Sequence, residues 1–181
     1  MAKPLRKSLD TTPSAIRAAA GPPLVLVTGV TGYLAGQVTA YLLAAGFRVR
    51  GTVRSLRDAS KLEAVRRLRG PHGHGVELCE ANLSESAGWA EAVRGCTYVQ
   101  HVASPVPVDA VRDAETEVVR PAVAGVTNML EAAFAEQGVR RVVLVSSTAA
   151  IMEGAPREPG HVFTSADWTD FSHASVSLAL A

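Results

Sequence analysis

Residues 24–36 read LVLVTGVTGYLAG, an apolar run that ends in a threonine and passes at once into closely spaced glycines. Leu24, Val25, Leu26 and Val27 are apolar without alternation, which is the pattern of a strand covered on both faces of a parallel sheet. Gly29, Gly32 and Gly36, with Ala35 beside the last, turn the chain sharply and let backbone approach a ligand where a Cβ would stand in the way. Over residues 33–45 the apolar spacing becomes helical, with Leu34, Val38, Leu42 and Ala45 along one stripe and Gly46 as its stop. Strand, glycine turn and helix N-terminus in this order form an anion site, because first-turn amides and the helix dipole point to the same place. The pyrophosphate of a dinucleotide is the usual occupant. The spacing Gly29-x-x-Gly32-x-x-Ala35 departs from the common G-x-G-x-x-G fingerprint, and glycine-rich turns also serve methyltransferases, flavoproteins and purely structural bends. The rest of the chain must decide.

The 181 residues point to one domain with room for a tail. Apolar residues make up 48% and charged ones 19%, enough to bury a core and to exclude disorder of the whole chain. A net charge of +1 leaves no field for nucleic acid or an acidic membrane. No apolar run approaches the ~20 residues of a spanning helix. Cys79 and Cys96 lack metal-ligand spacing and sit beside predicted strands, so they read as buried thiols in a reducing compartment. The expectation is a soluble, cytoplasmic protein without a metal. Residues 1–23 carry Lys3, Arg6, Lys7 and Arg17 against Asp10 and read as a loose basic tail, with a short transit peptide as the alternative.

Beyond the first helix, strands are predicted over 48–53, 76–79, 98–103 and 141–146. Helices are predicted over 59–68, 84–93 and about 119–137, with Pro121 marking either a first turn or a kink. His72, His74 and His101 do not converge with carboxylates, which argues against a metal site. Strands alternating with helices specify a doubly wound parallel sheet with right-handed crossovers, and the ligand of such a sheet lies beyond the carboxyl ends of its strands.

Those ends carry the candidate site. The first turn contributes Thr28, Gly29, Thr31, Gly32, Tyr33 and Leu34. After the second strand stands Arg54, where a cofactor lacking the 2′-phosphate would call for Asp or Glu; the forked donors of Arg suit that phosphate and favour NADP. Lys61 offers a second charge. Asn82 and Leu83 follow the third strand, placed to line an adenine. Ala103 and Ser104 follow the fourth, small where a cofactor passes close to backbone. Ser147, in the hydroxyl cluster after the fifth, is a candidate for polarising a substrate carbonyl, although such hydroxyls also cap strand ends.

With these residues in place the chain resembles the extended short-chain dehydrogenase/reductase family, and within it the dihydroflavonol reductases, cinnamoyl-CoA reductases and fungal aldehyde or ketone reductases. The resemblance is carried by VTGVTGYLAG, GTVRS with Lys61, GCTYVQHVASP, VVRPAVAGVTNMLEAA, RRVVLVSSTAAI and the ADWTD around Trp168, in the family's order over residues 24–170. It implies a Rossmann-type α/β fold, NADP as cofactor, a small-molecule carbonyl substrate, and Ser147 hydrogen-bonded to the substrate oxygen. Ala35 stands where many members have a third glycine, and Asn82 where many have Asp. The larger departure is catalytic. The family relies on a Tyr-x-x-x-Lys pair after the fifth strand, whereas here no Tyr follows Tyr98 and no Lys follows Lys61. Residues 171–181 match nothing in the family. The expectation is therefore a Rossmann domain truncated after its fifth strand, inactive by itself, with the exposed fifth strand open to self-association. The rival readings are a non-catalytic NADP-binding or scaffold protein, a fragment of an epimerase or dehydratase of the same family, and an S-adenosylmethionine methyltransferase, against which Arg54 speaks.

Overall fold

A computed structural model of the chain describes residues 21–71, 73–105, 111–154 and 158–170. The expected tails, apart from residues 21–23, lie outside these, as do His72 and Pro107. Five strands, β1 (Leu24–Val27), β2 (Arg48–Val53), β3 (Val76–Glu80), β4 (Tyr98–His101) and β5 (Arg141–Leu144), form one sheet in the order β3-β2-β1-β4-β5. Every pairing is parallel. Parallel neighbours need crossovers, and these contain α1 (Tyr33–Ala44), α2 (Ala59–Arg67), α3 (Trp89–Val93) and α4 (Arg120–Ala135). A short α5 (Ala149–Met152) follows β5. This is the Rossmann-type doubly wound α/β fold. The order reverses between β1 and β4, which opens a crevice beyond their carboxyl ends.

The unbroken apolar reading of β1 has its reason in the core. Leu24 and Leu26 pack on one face with Trp89, Val93, Val99 and Met129 from α3, β4 and α4. Val27 packs on the other with Ala35, Leu43 and Val49. A third group, Val30, Val53, Leu62 and Val65, seats α2. Both faces of the central strand are covered, so no position in it is free to be polar.

Where predicted boundaries move, side-chain chemistry moves them. The helix predicted over 84–93 shrinks to Trp89–Val93, because Gly88 turns left-handed at φ +85° and passes over the end of β3, where a Cβ would stand 2.4 Å from the Glu80 carbonyl. The fourth strand stops at His101 rather than at 103, since the amides of Val102 and Ala103 donate to the Thr28 hydroxyl (3.0 Å each) and not to a neighbouring strand. The fifth then stops at Leu144, its final rung being Val145 N–H to the His101 carbonyl at 3.0 Å. Ahead of α4 the chain makes a wider π turn, Glu115–Val119. Pro121 falls in the first turn of α4, where its missing N–H costs nothing. Among the described residues no helix is long and apolar enough to cross a membrane.

Candidate functional site

A cleft of about 680 Å3 opens at the carboxyl ends of β1 to β4. Its walls come from Gly29 and residues 31–35 of the first turn, Thr52, Val53 and Arg54 after β2, residues 81–84 after β3, and residues 102–105 after β4. Trp89, Glu117 and Pro121 complete it.

The floor is built by Thr28, which is fully buried. Its hydroxyl accepts from the amides of Val102 and Ala103, and its remaining proton points to Nδ1 of His101 at 3.2 Å. That arrangement places the ring proton of His101 on Nε2. Burial pushes the His101 imidazole down to about 4, so it is neutral at physiological pH. Thr28 thus joins the ends of β1 and β4 and shapes the cleft from behind; its side chain does not line it. Gly29, at φ +65°, lies against Ala103, where a Cβ would sit 3.0 Å from the Ala103 Cβ. Its amide donates to the Thr52 hydroxyl at 3.0 Å, and the next amide, of Val30, donates to the Thr52 carbonyl at 3.1 Å. Thr52 was not among the residues expected here. Only its position near the end of β2 hinted at a role.

The start of α1 has no side-chain cap at Gly32 and no acid in its first turn. The first-turn amides of a helix have no intrahelical acceptor, and among the described residues no side chain takes that place at the N-cap. An uncapped helix N-terminus beside a crowded glycine fits a pyrophosphate, and Tyr33 and Leu34 flank it in the cleft wall.

Arg54 lines the cleft and is exposed. Among the described residues it forms no ion pair. Lys61 is different: its ammonium pairs with Asp58 at 2.9 Å, and its side chain does not line the cleft. Hydrogen bonds from the Ser60 hydroxyl and from Lys61 hold the Asp58 carboxyl down at about 2. Asn82 and Leu83 line the cleft after β3. The Asn82 amide donates to Glu85 at 2.6 Å, while its carbonyl accepts from the Ser84 amide. Leu83 is pressed by α4, where Gly125 approaches so closely that a Cβ would stand 2.5 Å from Leu83 Cδ2. Ala103 and Ser104 line the cleft; Ser147 does not. The Ser147 hydroxyl instead accepts from the Ala149 amide at 3.2 Å, in the turn that opens α5. Cys79 and Cys96 are free, with Cys96 buried and Cys79 half-buried. Burial pushes both thiols up to about 11. Among the described residues no cluster of His, Cys, Asp or Glu is arranged to hold a metal.

Residues 25–170 match the model of the NAD dependent epimerase/dehydratase family. The chain belongs to that family. Within it, this epimerase/dehydratase-family chain is 37% identical over 148 residues to a cinnamoyl-CoA reductase of Medicago truncatula, covering 81% of this chain and 45% of the relative. To a dihydroflavonol 4-reductase of Hordeum vulgare it is 33% identical over 150 residues, 82% of this chain and 41% of the relative. Among solved structures, Gre2 of Candida albicans in complex with NADPH superposes with a TM-score of 0.69 at 30% identity, covering 82% of this chain and 44% of that one. The chain therefore spans less than half the length of these relatives. The resemblance to the reductase branch is borne out by these names, and so is the Rossmann fold.

Proposed function

We propose that the chain is the NADP-binding half of a carbonyl reductase acting on aldehydes or ketones and the corresponding alcohols. The observation that carries this reading is Arg54, an exposed cation without an ion-pair partner among the described residues, at the cleft mouth where β2 ends. Two features support it: the uncapped start of α1 fits the pyrophosphate, and structural relatives have been solved with NADPH. Bound NADPH supplies a hydride. What this chain contributes is orientation, through the Gly29 cradle, the α1 amides, Arg54, and the wall of Asn82 and Leu83. Lys61 joins Arg54 only after leaving Asp58, so Arg54 is the principal phosphate ligand.

No Tyr follows Tyr98 and no Lys follows Lys61 in these 181 residues, and Ser147 stands outside the cleft. General acid catalysis contributes typically ~10²- to 10⁴-fold, and this stretch carries no Tyr-x-x-x-Lys pair after β5 to supply it. This stretch by itself therefore binds cofactor and holds it without turning it over.

Calorimetric titration tests the reading. NADPH should bind more tightly than NADH, and Arg54→Ala should cost ~1.5 to 3 kcal/mol in NADPH binding at low salt, the worth of hydrogen bonds between charged groups. Equal affinities for the two cofactors would remove Arg54 from the phosphate. With a panel of aldehydes, NADPH absorbance should not fall faster than in the absence of protein; clear turnover abolished by Ser147→Ala would overturn the inactive reading.

A further inference from the structure

The loop between β2 and α2 carries Arg54, and among the described residues its other side-chain hydrogen bonds are local, such as the Ser55 hydroxyl accepting from the Arg57 amide at 3.2 Å and Asp58 capping α2 by accepting from the Lys61 amide. Such contacts shape a loop without deciding where it lies against the sheet. Glu80 does reach it from another strand. As the last residue of β3, it stands opposite Val53 in the parallel register, and the rung Ala81 N–H to Val53 carbonyl at 3.0 Å fixes the two strand ends together. From there the Glu80 carboxylate accepts from the Leu56 amide at 2.6 Å, two residues beyond Arg54. Arg54 forms no ion pair with it among the described residues, so the carboxylate acts on the loop backbone and leaves the guanidinium free.

We propose that Glu80 is a positioning residue for cofactor selectivity: by clamping the Leu56 amide to the end of β3 it holds Arg54 at the cleft mouth, where a 2′-phosphate is recognised. This rests on the reading of Arg54 as the phosphate ligand. An acidic side chain at a strand end near this site would ordinarily count against a second phosphate, through repulsion. Here its geometry outweighs its charge, because a forked donor recognises phosphate only when its backbone is held in place.

Three substitutions separate position from charge. Glu80→Gln keeps an oxygen acceptor at the same reach and removes the charge. Glu80→Asp keeps the charge and is one methylene too short. Glu80→Ala removes both. Calorimetry with NADPH and NADH on each variant, on the parent and on Arg54→Ala gives the discrimination between the cofactors, and amide hydrogen exchange at Leu56 reports the clamp without reference to any cofactor. The expected result is that Glu80→Ala and Glu80→Asp lower the preference for NADPH by roughly three- to tenfold, the worth of one net hydrogen bond, and speed exchange at Leu56. Their NADH affinity should stay at the parent's value, and Glu80→Gln should resemble the parent in all three readouts. Unchanged discrimination in both Glu80→Ala and Glu80→Asp, with Arg54→Ala still losing it, overturns the clamp and leaves the phosphate reading standing. Discrimination that survives Arg54→Ala overturns the phosphate reading and the selectivity role together. Rapid exchange at Leu56 in the parent overturns the clamp regardless of cofactor, as does a Glu80→Gln variant that behaves like Glu80→Ala. Should Glu80→Ala fail to fold, Glu80→Asp against Glu80→Gln carries the same comparison.

Discussion

Replacing Gly51 by Ala puts a methyl group 2.6 Å from Val30 Cγ1, 2.7 Å from its Cβ and 2.9 Å from its Cγ2. Gly51 is an interior residue of β2, paired on both sides with β1 and β3, and Val30 is fully buried. Neither can move freely. The Val30 amide is bonded to the Thr52 carbonyl, and the neighbouring Gly29 amide to the Thr52 hydroxyl, so pushing Val30 away strains the glycine turn at the cleft. Overpacking of this kind costs ~1 to 3 kcal/mol. Loss of glycine's freedom in the unfolded chain returns ~0.4 to 1 kcal/mol. The net expectation is a destabilisation of ~1 to 2 kcal/mol, which for a chain of this size lowers the melting temperature by roughly 2–4 °C per kcal/mol. Trimming Val30 to Ala removes its two terminal methyls but keeps the Cβ contact, so Gly51→Ala should remain destabilising in a Val30→Ala background. Urea denaturation of the four proteins of this double-mutant cycle measures both quantities. A Gly51→Ala protein as stable as the parent, or one restored in full by Val30→Ala, would refute the close contact and the sheet geometry that produces it.

Stability should also fall with acid. The His101 imidazole is pushed down to about 4 by burial against an ordinary 6.5, so the unfolded chain takes up the proton first; the contribution is complete above pH 6.5 and lost between 6.5 and 4, by up to ~3 kcal/mol. Denaturation midpoints across that range check it, and His101→Gln should flatten the slope. Thr28→Val strands the amides of Val102 and Ala103 and should cost ~1 to 3 kcal/mol in urea denaturation, with Thr28→Ser retaining most of the stability. We further expect self-association through β5, an edge strand with Val143 and Leu144 exposed to 42% and 51% and neither Pro nor an acid to protect it. Light scattering should show species heavier than a monomer that Val143→Lys reduces, and a monodisperse parent monomer unfolding in one cooperative transition of several kcal/mol would rule it out.

The sheet was legible in the sequence because its strands announce themselves locally. The unbroken apolar runs at 24–27 and 142–145, the glycines of the first turn, and the helical spacing between strands are short-range patterns, and the carboxyl ends of β1 to β4 are where the cleft opens. β2 was read to the residue for the same reason. Gly29, Arg54, Leu83 and Ala103 needed only their position relative to a strand end. What the tertiary structure alone decided are relations across the chain. No local pattern says that Thr28 takes the amides of Val102 and Ala103 and so ends β4 early, that His101 is buried and neutral behind it, or that Gly88 crosses the end of β3 and shortens a helix. Lys61 shows the limit most clearly. Its sequence position suits a phosphate, but an Asp three residues earlier satisfies it, and only the placement of the two side chains settles which partner it has. Glu80 and Thr52 have no sequence signal beyond their places at the ends of β3 and β2. Their significance comes from the parallel register, which sets Thr52 beside the turn after β1 and brings the ends of β2 and β3 together although 26 positions separate Arg54 from Glu80. Hydrogen bonds form between groups within about 3 Å of one another, and closeness of that kind between distant residues is a property of the folded sheet, whereas the periodicity that builds each strand and helix is already present along the chain.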